Sequence, residues 1–159
     1  MLFRSDLASL WRTGAAEAVF EGRALVTASA LLDLVSGAWL EGLADACRAA
    51  GASVLFALTY DGRIDCVPSL PDDARVRELV NRHQRTDKGF GPALGPMAAG
   101  HAETAFSRRG YQVHVSASDW VIGPDEPALQ YALIDGWADA AAALAPAEAA
   151  RLTAWKRAR

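Results

Sequence analysis

The sequence predicts an α/β fold built on parallel strands, and three observations carry that reading. Two short apolar runs, Ala24 to Ala28 and Ser53 to Thr59, have the length and composition of strands buried on both faces. Between them Val35, Trp39, Leu40, Leu43 and Cys47 recur at helical spacing, and Gly51 closes the stretch. Strand, helix and strand within about forty residues make a βαβ unit, which needs a crossover helix because parallel strands cannot be joined by a tight turn.

The remaining elements follow in order. Residues 6–20 are Ala-rich, with Leu7, Leu10, Trp11, Ala15 and Val19 near helical spacing and Gly14 as a weak point. Glu21-Gly22-Arg23 is a turn before the first strand. Ser36 and Gly37 open the crossover helix. After the second strand, Tyr60-Asp61-Gly62 turns the chain. Asp72 is placed to cap a helix whose face is Val76, Leu79, Val80 and His83. Residues 86–96 are rich in Gly and Pro. Pro96 suits the first turn of a helix that runs through Ala98, Ala102, Ala105 and Phe106 to Gly110. Tyr111, Val113 and Val115 alternate with polar residues, which predicts a third strand over 111–122. A long helix follows with the stripe Leu129, Leu133, Trp137, Ala140 and Leu144, and Pro146 starts a last short one.

Composition narrows the class. The chain has 159 residues, 52% hydrophobic and 22% charged, with a net charge of -3. Such a chain is one globular domain or a large part of one, and too apolar to be disordered. The mild negative charge gives no bulk attraction to nucleic acid. No apolar run approaches the ~20 residues that span a bilayer, and Arg4 and Asp6 interrupt any leader-like start. Cys47 and Cys66 form neither a disulfide framework nor a CxxC pair, so reduced thiols and a cytoplasmic location are expected. Residues 1–5, Met-Leu-Phe-Arg-Ser, can be back-translated into the end of a sequencing adaptor; they read as a leader foreign to a domain over 6–159.

There is no GxGxxG, no GxxxxGK[ST] and no GxSxG, and His83, His101 and His114 are scattered without metal-ligand spacing. The candidate chemistry therefore lies where open α/β sheets bind ligands, outside the carboxyl ends of the strands. Thr27 to Asp33 is one such end. Its small residues would let a ligand approach the backbone; the plainer account is a tight strand-to-helix turn started by Asp33 and Ser36. Tyr60 stands at the other end, as part of a turn or of a turn and site. Asn81 to Gly91, with His83, Gln84, Asp87 and Lys88, is either a polar lid over the strand ends or a solvated helix end. Ser118-Asp119-Trp120 is expected to be structural, with Trp120 a core candidate.

Four segments taken together carry a resemblance: Val26 to Ser36, Val54 to Arg63, His83 to Gly91, and Ser118-Asp119-Trp120. In this order they resemble the C-terminal part of a bacterial class I S-adenosylmethionine-dependent methyltransferase, over roughly residues 23–157. The resemblance implies a partial Rossmann-like sheet, with 24–28, 53–59 and 111–122 as strands four to six of seven. The glycine-rich cofactor loop and the acidic residue after the second strand are absent from the chain, as is the antiparallel seventh strand, so the chain is expected to be truncated at both ends. The resemblance also implies S-adenosyl-L-methionine as cofactor and a small-molecule acceptor. Asp6 would reach the cofactor's adenine amine. Thr27, Ala28 and Ser29 would flank its methionine part. Asp33, Tyr60, His83, Gln84, Asp87 and Lys88 would face the acceptor. Two other classes stay open: a non-catalytic interaction module that self-associates through the bare strand 24–28, and a fragment of a nicotinamide-dependent Rossmann oxidoreductase.

Overall fold

The structure, a computed structural model, describes residues 7–11 and 16–159, so the expectation for Asp6 lies outside the described residues. In chain order the elements are a 3-10 turn at Leu7–Ser9, α1 (Ala16–Phe20), β1 (Leu25–Ser29), α2 (Gly37–Ala49), β2 (Ser53–Ala57), α3 (Asp73–Gln84), a 3-10 turn at Gly95–Met97, α4 (Ala98–Arg108), α5 (Pro127–Leu144), a 3-10 turn at Pro146–Glu148, and α6 (Ala149–Ala158). The class is α/β. Among the described residues no helix is long and apolar enough to cross a membrane. The chain divides into two units: residues 1–61 with 86–116, and residues 62–85 with 117–159.

The first unit holds the sheet. β1 and β2 pair in parallel, with Val26 opposite Val54 and Ala28 opposite Phe56. The crossover α2 starts where the sequence places it: Ser36 adopts an extended conformation and its Oγ accepts the Trp39 N–H at 3.3 Å. It ends at Gly51, whose left-handed φ of +65° lets its N–H turn back to the Arg48 carbonyl at 3.1 Å. Trp39, Leu40, Leu43, Ala44 and Cys47 bury into one cluster with Leu32, Val35, Ala98, Ala105 and Phe106. Burial pushes the Cys47 thiol up to about 11. Arg109, just past α4, pairs with Glu41 at 2.6 Å and Asp45 at 2.7 Å, tying α4 to α2.

Two expectations fail here. The sheet has two strands among the described residues, and the segment 111–122 is not a third. Its alternation is real at the start: Tyr111 and Val113 pack on the core while Gln112 and His114 are exposed. Tyr111 donates its hydroxyl to the Ala52 carbonyl at 2.8 Å and meets Phe106 edge-on at 5.2 Å. A strand also needs a neighbour to complete its ladder. None pairs with this segment, and Val121 is 90% exposed. Nor are β1 and β2 buried on both faces. Val26, Ala28, Val54 and Phe56 are half-buried, but the facing set is open, with Leu25 at 55% and Leu55 at 61% exposure. An apolar run sets what a strand can bury; whether both faces are covered depends on other elements.

The second unit is helical. Val76, Leu79 and Val80 of α3, Ala138 and Ala141 of α5, and Leu152 and Trp155 of α6 are its buried apolar side chains. α5 packs on α3, and its buried residues are alanines. The predicted α5 stripe shifts accordingly: Leu133, Trp137, Ala140 and Leu144 are half-buried, and Leu129 is exposed. Asp72 does not cap α3; its Oδ1 takes the Arg151 Nε at 2.9 Å. Trp120 is exposed rather than core, and Asp119 pairs with Arg63 at 2.7 Å.

Asp73 anchors this unit. Its carboxylate accepts the Leu70 N–H at 2.7 Å and the Trp155 indole N–H at 2.8 Å, and it pairs with Arg159. Burial opposes its ionisation, but the Leu70, Trp155 and Arg159 donors outweigh that and hold it below the usual carboxylate range. Replacing Asp73 by Ala should cost about 3 kcal/mol, since donors to a charged acceptor are orphaned. Urea melts followed by tryptophan fluorescence measure it. Because the folded-state carboxyl is depressed, the native chain should keep this contribution at neutral pH. It should lose it only as the pH falls below the ordinary carboxylate range.

Candidate functional site

The two strands end at the same level, and both endings are strained. Ser29 pairs with Ala57, and the next residues, Ala30 and Leu58, take left-handed φ values of +51° and +54°. Neither is glycine, so each conformation costs on the order of 1–2 kcal/mol. The Ala30 N–H still donates to the Ala57 carbonyl at 3.1 Å, one bond beyond the ladder. Backbone strain held at the carboxyl ends of parallel strands coincides with the place where α/β sheets bind ligands.

Strand alternation sorts the predicted cofactor residues. Thr27 and Ser29 are exposed on the open face of the sheet, while Ala28 points to the core side opposite Phe56 and is half-buried. The three side chains therefore do not converge. Two hydroxyls share one face, and Ala28 offers only its backbone.

Asp33 does not start the helix; Ser36 does. Asp33 is instead a buried carboxylate, 7% exposed, in the turn after β1. Its main-chain oxygen accepts the Gly95 N–H at 2.9 Å, and two residues on the Val35 carbonyl accepts the Leu94 N–H at 2.8 Å. Burial pushes the carboxyl above its ordinary value; its own backbone N–H and that of Tyr60 pull the other way. Oδ1 is buried with no hydrogen-bond partner. The structure thus brings Asp33 and Tyr60 together from the ends of the two strands.

The polar run over 83–88 divides between the units. His83 and Gln84 are half-buried in the last turn of α3, in the helical unit. Asp87 and Lys88 belong to the sheet-bearing unit. Asp87 Oδ1 accepts the N–H groups of Gly89 at 2.7 Å and Gly91 at 3.0 Å, and Lys88 Nζ donates to Thr86 Oγ1 at 2.9 Å. Both glycines have positive φ, so the loop depends on the carboxylate that gathers their N–H groups.

Beside this loop lies an open groove of about 650 Å³ lined by Trp11, Ser36, Trp39, Gly42, Asp87 and Phe90 among others. Trp39 meets Trp11 at 5.5 Å and Phe90 edge-on at 5.6 Å. In the sequence Trp11 and Trp39 sit on core-facing stripes and carry no site signal. Gly42 is the signal present: a glycine inside a helix costs about 1 kcal/mol against alanine, and here a Cβ would lie 3.1 Å from the Trp11 ring.

No protein-family model, curated protein or solved structure matches the chain.

Asp33→Asn keeps the shape of the side chain and removes the buried charge. A carboxyl raised in the folded state makes the native chain bind protons more tightly than the unfolded one, so stability falls as pH rises through that range. The Asn variant should melt at the native temperature in acid and above it at neutral pH. Thermal melts across that range check the crossover.

Proposed function

We propose that this chain is part of a class I S-adenosylmethionine-dependent methyltransferase, carrying the fourth and fifth strands of the family's sheet as β1 and β2. The supporting observation is the parallel pair joined by α2, with both strand ends strained and a buried acceptor, Asp33 Oδ1, left unfilled beside them. A buried polar atom without a partner calls for an explanation, and a ligand group supplies one.

The resemblance assigns one end of such a cofactor to Thr27, Ala28 and Ser29 and the turn that follows them. Thr27 and Ser29 supply hydroxyls, Ala28 supplies backbone, and Asp33 supplies an acceptor at the carboxyl end of β1. The cofactor brings a methyl group already activated on a sulfonium. The protein's work is then mainly positioning, with a proton acceptor where the nucleophile carries a proton. By resemblance Asp33 and Tyr60 of the sheet-bearing unit would take that part, with Asp87 and Lys88 on the acceptor's side. His83 and Gln84 rest on the resemblance alone, as does Asp6 toward the adenine. The acceptor is read as a small molecule and the setting as cytoplasmic.

Calorimetry with S-adenosylhomocysteine tests this reading. Binding should be weak or absent for the 159 residues. It should reach the micromolar range in a chain lengthened by codons upstream of codon 6 that encode a strand and a glycine-rich loop. Failure of the longer chain to bind overturns the reading. Micromolar binding by the shorter one overturns the need for that loop. A GxGxxG upstream, with binding of a nicotinamide dinucleotide, transfers the fold to the oxidoreductase class.

A second reading draws on the exposed Leu25 and Leu55 and on the edge that each strand leaves unpaired among the described residues. A non-catalytic module would use them for self-association through strand 24–28. Light scattering coupled to size exclusion should then show a dimer that Leu25→Lys converts to monomer, whereas a native monomer at high concentration removes this reading.

A further inference from the structure

A helix that is apolar all round belongs under cover, and a large apolar patch left open to water marks a surface with a use. The helical unit carries such a place. From Pro127 to Ala132, α5 is exposed throughout, and burial begins only at Leu133. Those residues read Pro-Ala-Leu-Gln-Tyr-Ala, with Tyr131 at 68% exposure. Gln130 is the one amide among them, and it is spent locally: Nε2 donates to the Gly123 carbonyl at 2.8 Å and to the Ile122 carbonyl at 3.4 Å. That fastening holds the preceding run, Trp120-Val121-Ile122, beside the start of α5. Only Ile122 is half-buried; Trp120 is 60% and Val121 90% exposed. At the other end of the run the Asp119 carboxylate is held by Arg63. Leu129 and Tyr131 stand on either side of Gln130, so large apolar side chains are open to water around one fastening.

The charge around them has one sign. From Val115 to Ala150 the chain has no Lys, Arg or His, while Asp119, Asp125, Glu126, Asp135, Asp139 and Glu148 fall within it. Arg63, Lys156 and Arg75 pair with Asp119, Asp135 and Glu148. Among the described residues no cation pairs with Asp125 or Glu126, which lie between Val121 and Leu129. Carboxylates ahead of a helix suit its dipole. That accounts for their charge and leaves the open Trp120 and Val121 beside them unexplained. Like charge opposes a second copy of this surface or an anionic lipid surface, whereas a cationic surface is drawn to it. We propose that this part of the helical unit docks a segment of another protein in which apolar residues are flanked by Lys or Arg. The apolar residues cover Trp120 and Val121, and the cations meet Asp125 and Glu126. The inference goes beyond the methyltransferase reading and does not depend on it.

The test is an NMR titration of the 159-residue chain with a synthetic amphipathic peptide, Leu on one helix face and Lys on the other, followed at the tryptophan indole N–H resonances. Trp120→Phe assigns the Trp120 resonance. The peptide should shift that resonance to saturation. Trp120→Ala combined with Val121→Ser, both at exposed positions and the fold checked by circular dichroism, should weaken binding about tenfold. Asp125→Asn combined with Glu126→Gln should weaken it about fivefold and flatten its dependence on sodium chloride. A peptide with Glu in place of Lys should not bind. Leu55→Ser, on the open face of the sheet, should leave binding unchanged.

The proposal is overturned if the Lys peptide leaves Trp120 unmoved, if the Glu peptide binds as tightly, if the Trp120 and Val121 substitutions leave the affinity unchanged, or if Leu55→Ser weakens it as far. Three further results give the surface to another occupant and overturn it as well. A dimer in light scattering that Trp120→Ala dissolves assigns a second copy. Partition of Trp120 into phosphatidylcholine vesicles assigns a lipid surface. Loss of peptide binding in a chain lengthened at either end assigns a segment of the same chain. Failure of the lengthened chain to bind S-adenosylhomocysteine rejects the methyltransferase reading alone.

Discussion

Parallel pairing of β1 with β2 is the constraint from which the first unit follows. Strands running the same way cannot be joined by a two-residue turn, so the chain must travel the length of the pair and return, and α2 is that return. Its start is fixed by the Ser36 cap and its end by Gly51, and the face between them has to be apolar because it lies on the core. The same geometry brings Ser29 and Ala57 to one level. The features at the strand ends meet at that shared level: the two left-handed residues, the turn that buries Asp33, and the Tyr60 N–H directed to it.

Local rules carried the sequence reading far. Ser36, Gly51, Pro96 and Gly110 mark element ends by conformational preferences that tertiary context rarely overrides, and the helices begin and end near them. The reading failed where the outcome depends on a partner. Alternation over 111–115 describes a segment able to be a strand, and only a neighbouring strand makes it one. The apolar runs of β1 and β2 describe what can be buried, and the sequence does not show that Leu25 and Leu55 stay open. Asp72 stands where a cap belongs, but a salt bridge to Arg151 draws its carboxylate away.

The site was legible in part. Small residues after a buried strand pointed to Thr27 to Asp33, and that is where the strain and the orphaned acceptor lie. Its internal geometry was not legible. Alternation splits Thr27 and Ser29 from Ala28, and the polar run from His83 to Lys88 is shared between two units. Asp33 illustrates the limit. As a residue type in a turn it reads as a cap; only burial, and the absence of a partner for Oδ1, distinguishes it from one.

Both units are assembled from two separate stretches of chain, and this bears on the order in which the protein is made. During synthesis the chain emerges from its N-terminal side at about 5–20 residues per second. β1, α2 and β2 emerge before the Phe106 that fills their core and the Tyr111 that bonds Ala52, which come some fifty residues later. The helical unit waits longer still. α3 leaves the ribosome well before Trp155 and Arg159, which close on Asp73. Until α5 emerges, α3 has no partner for Val76, Leu79 and Val80, and that apolar face is open to chaperones on the nascent chain.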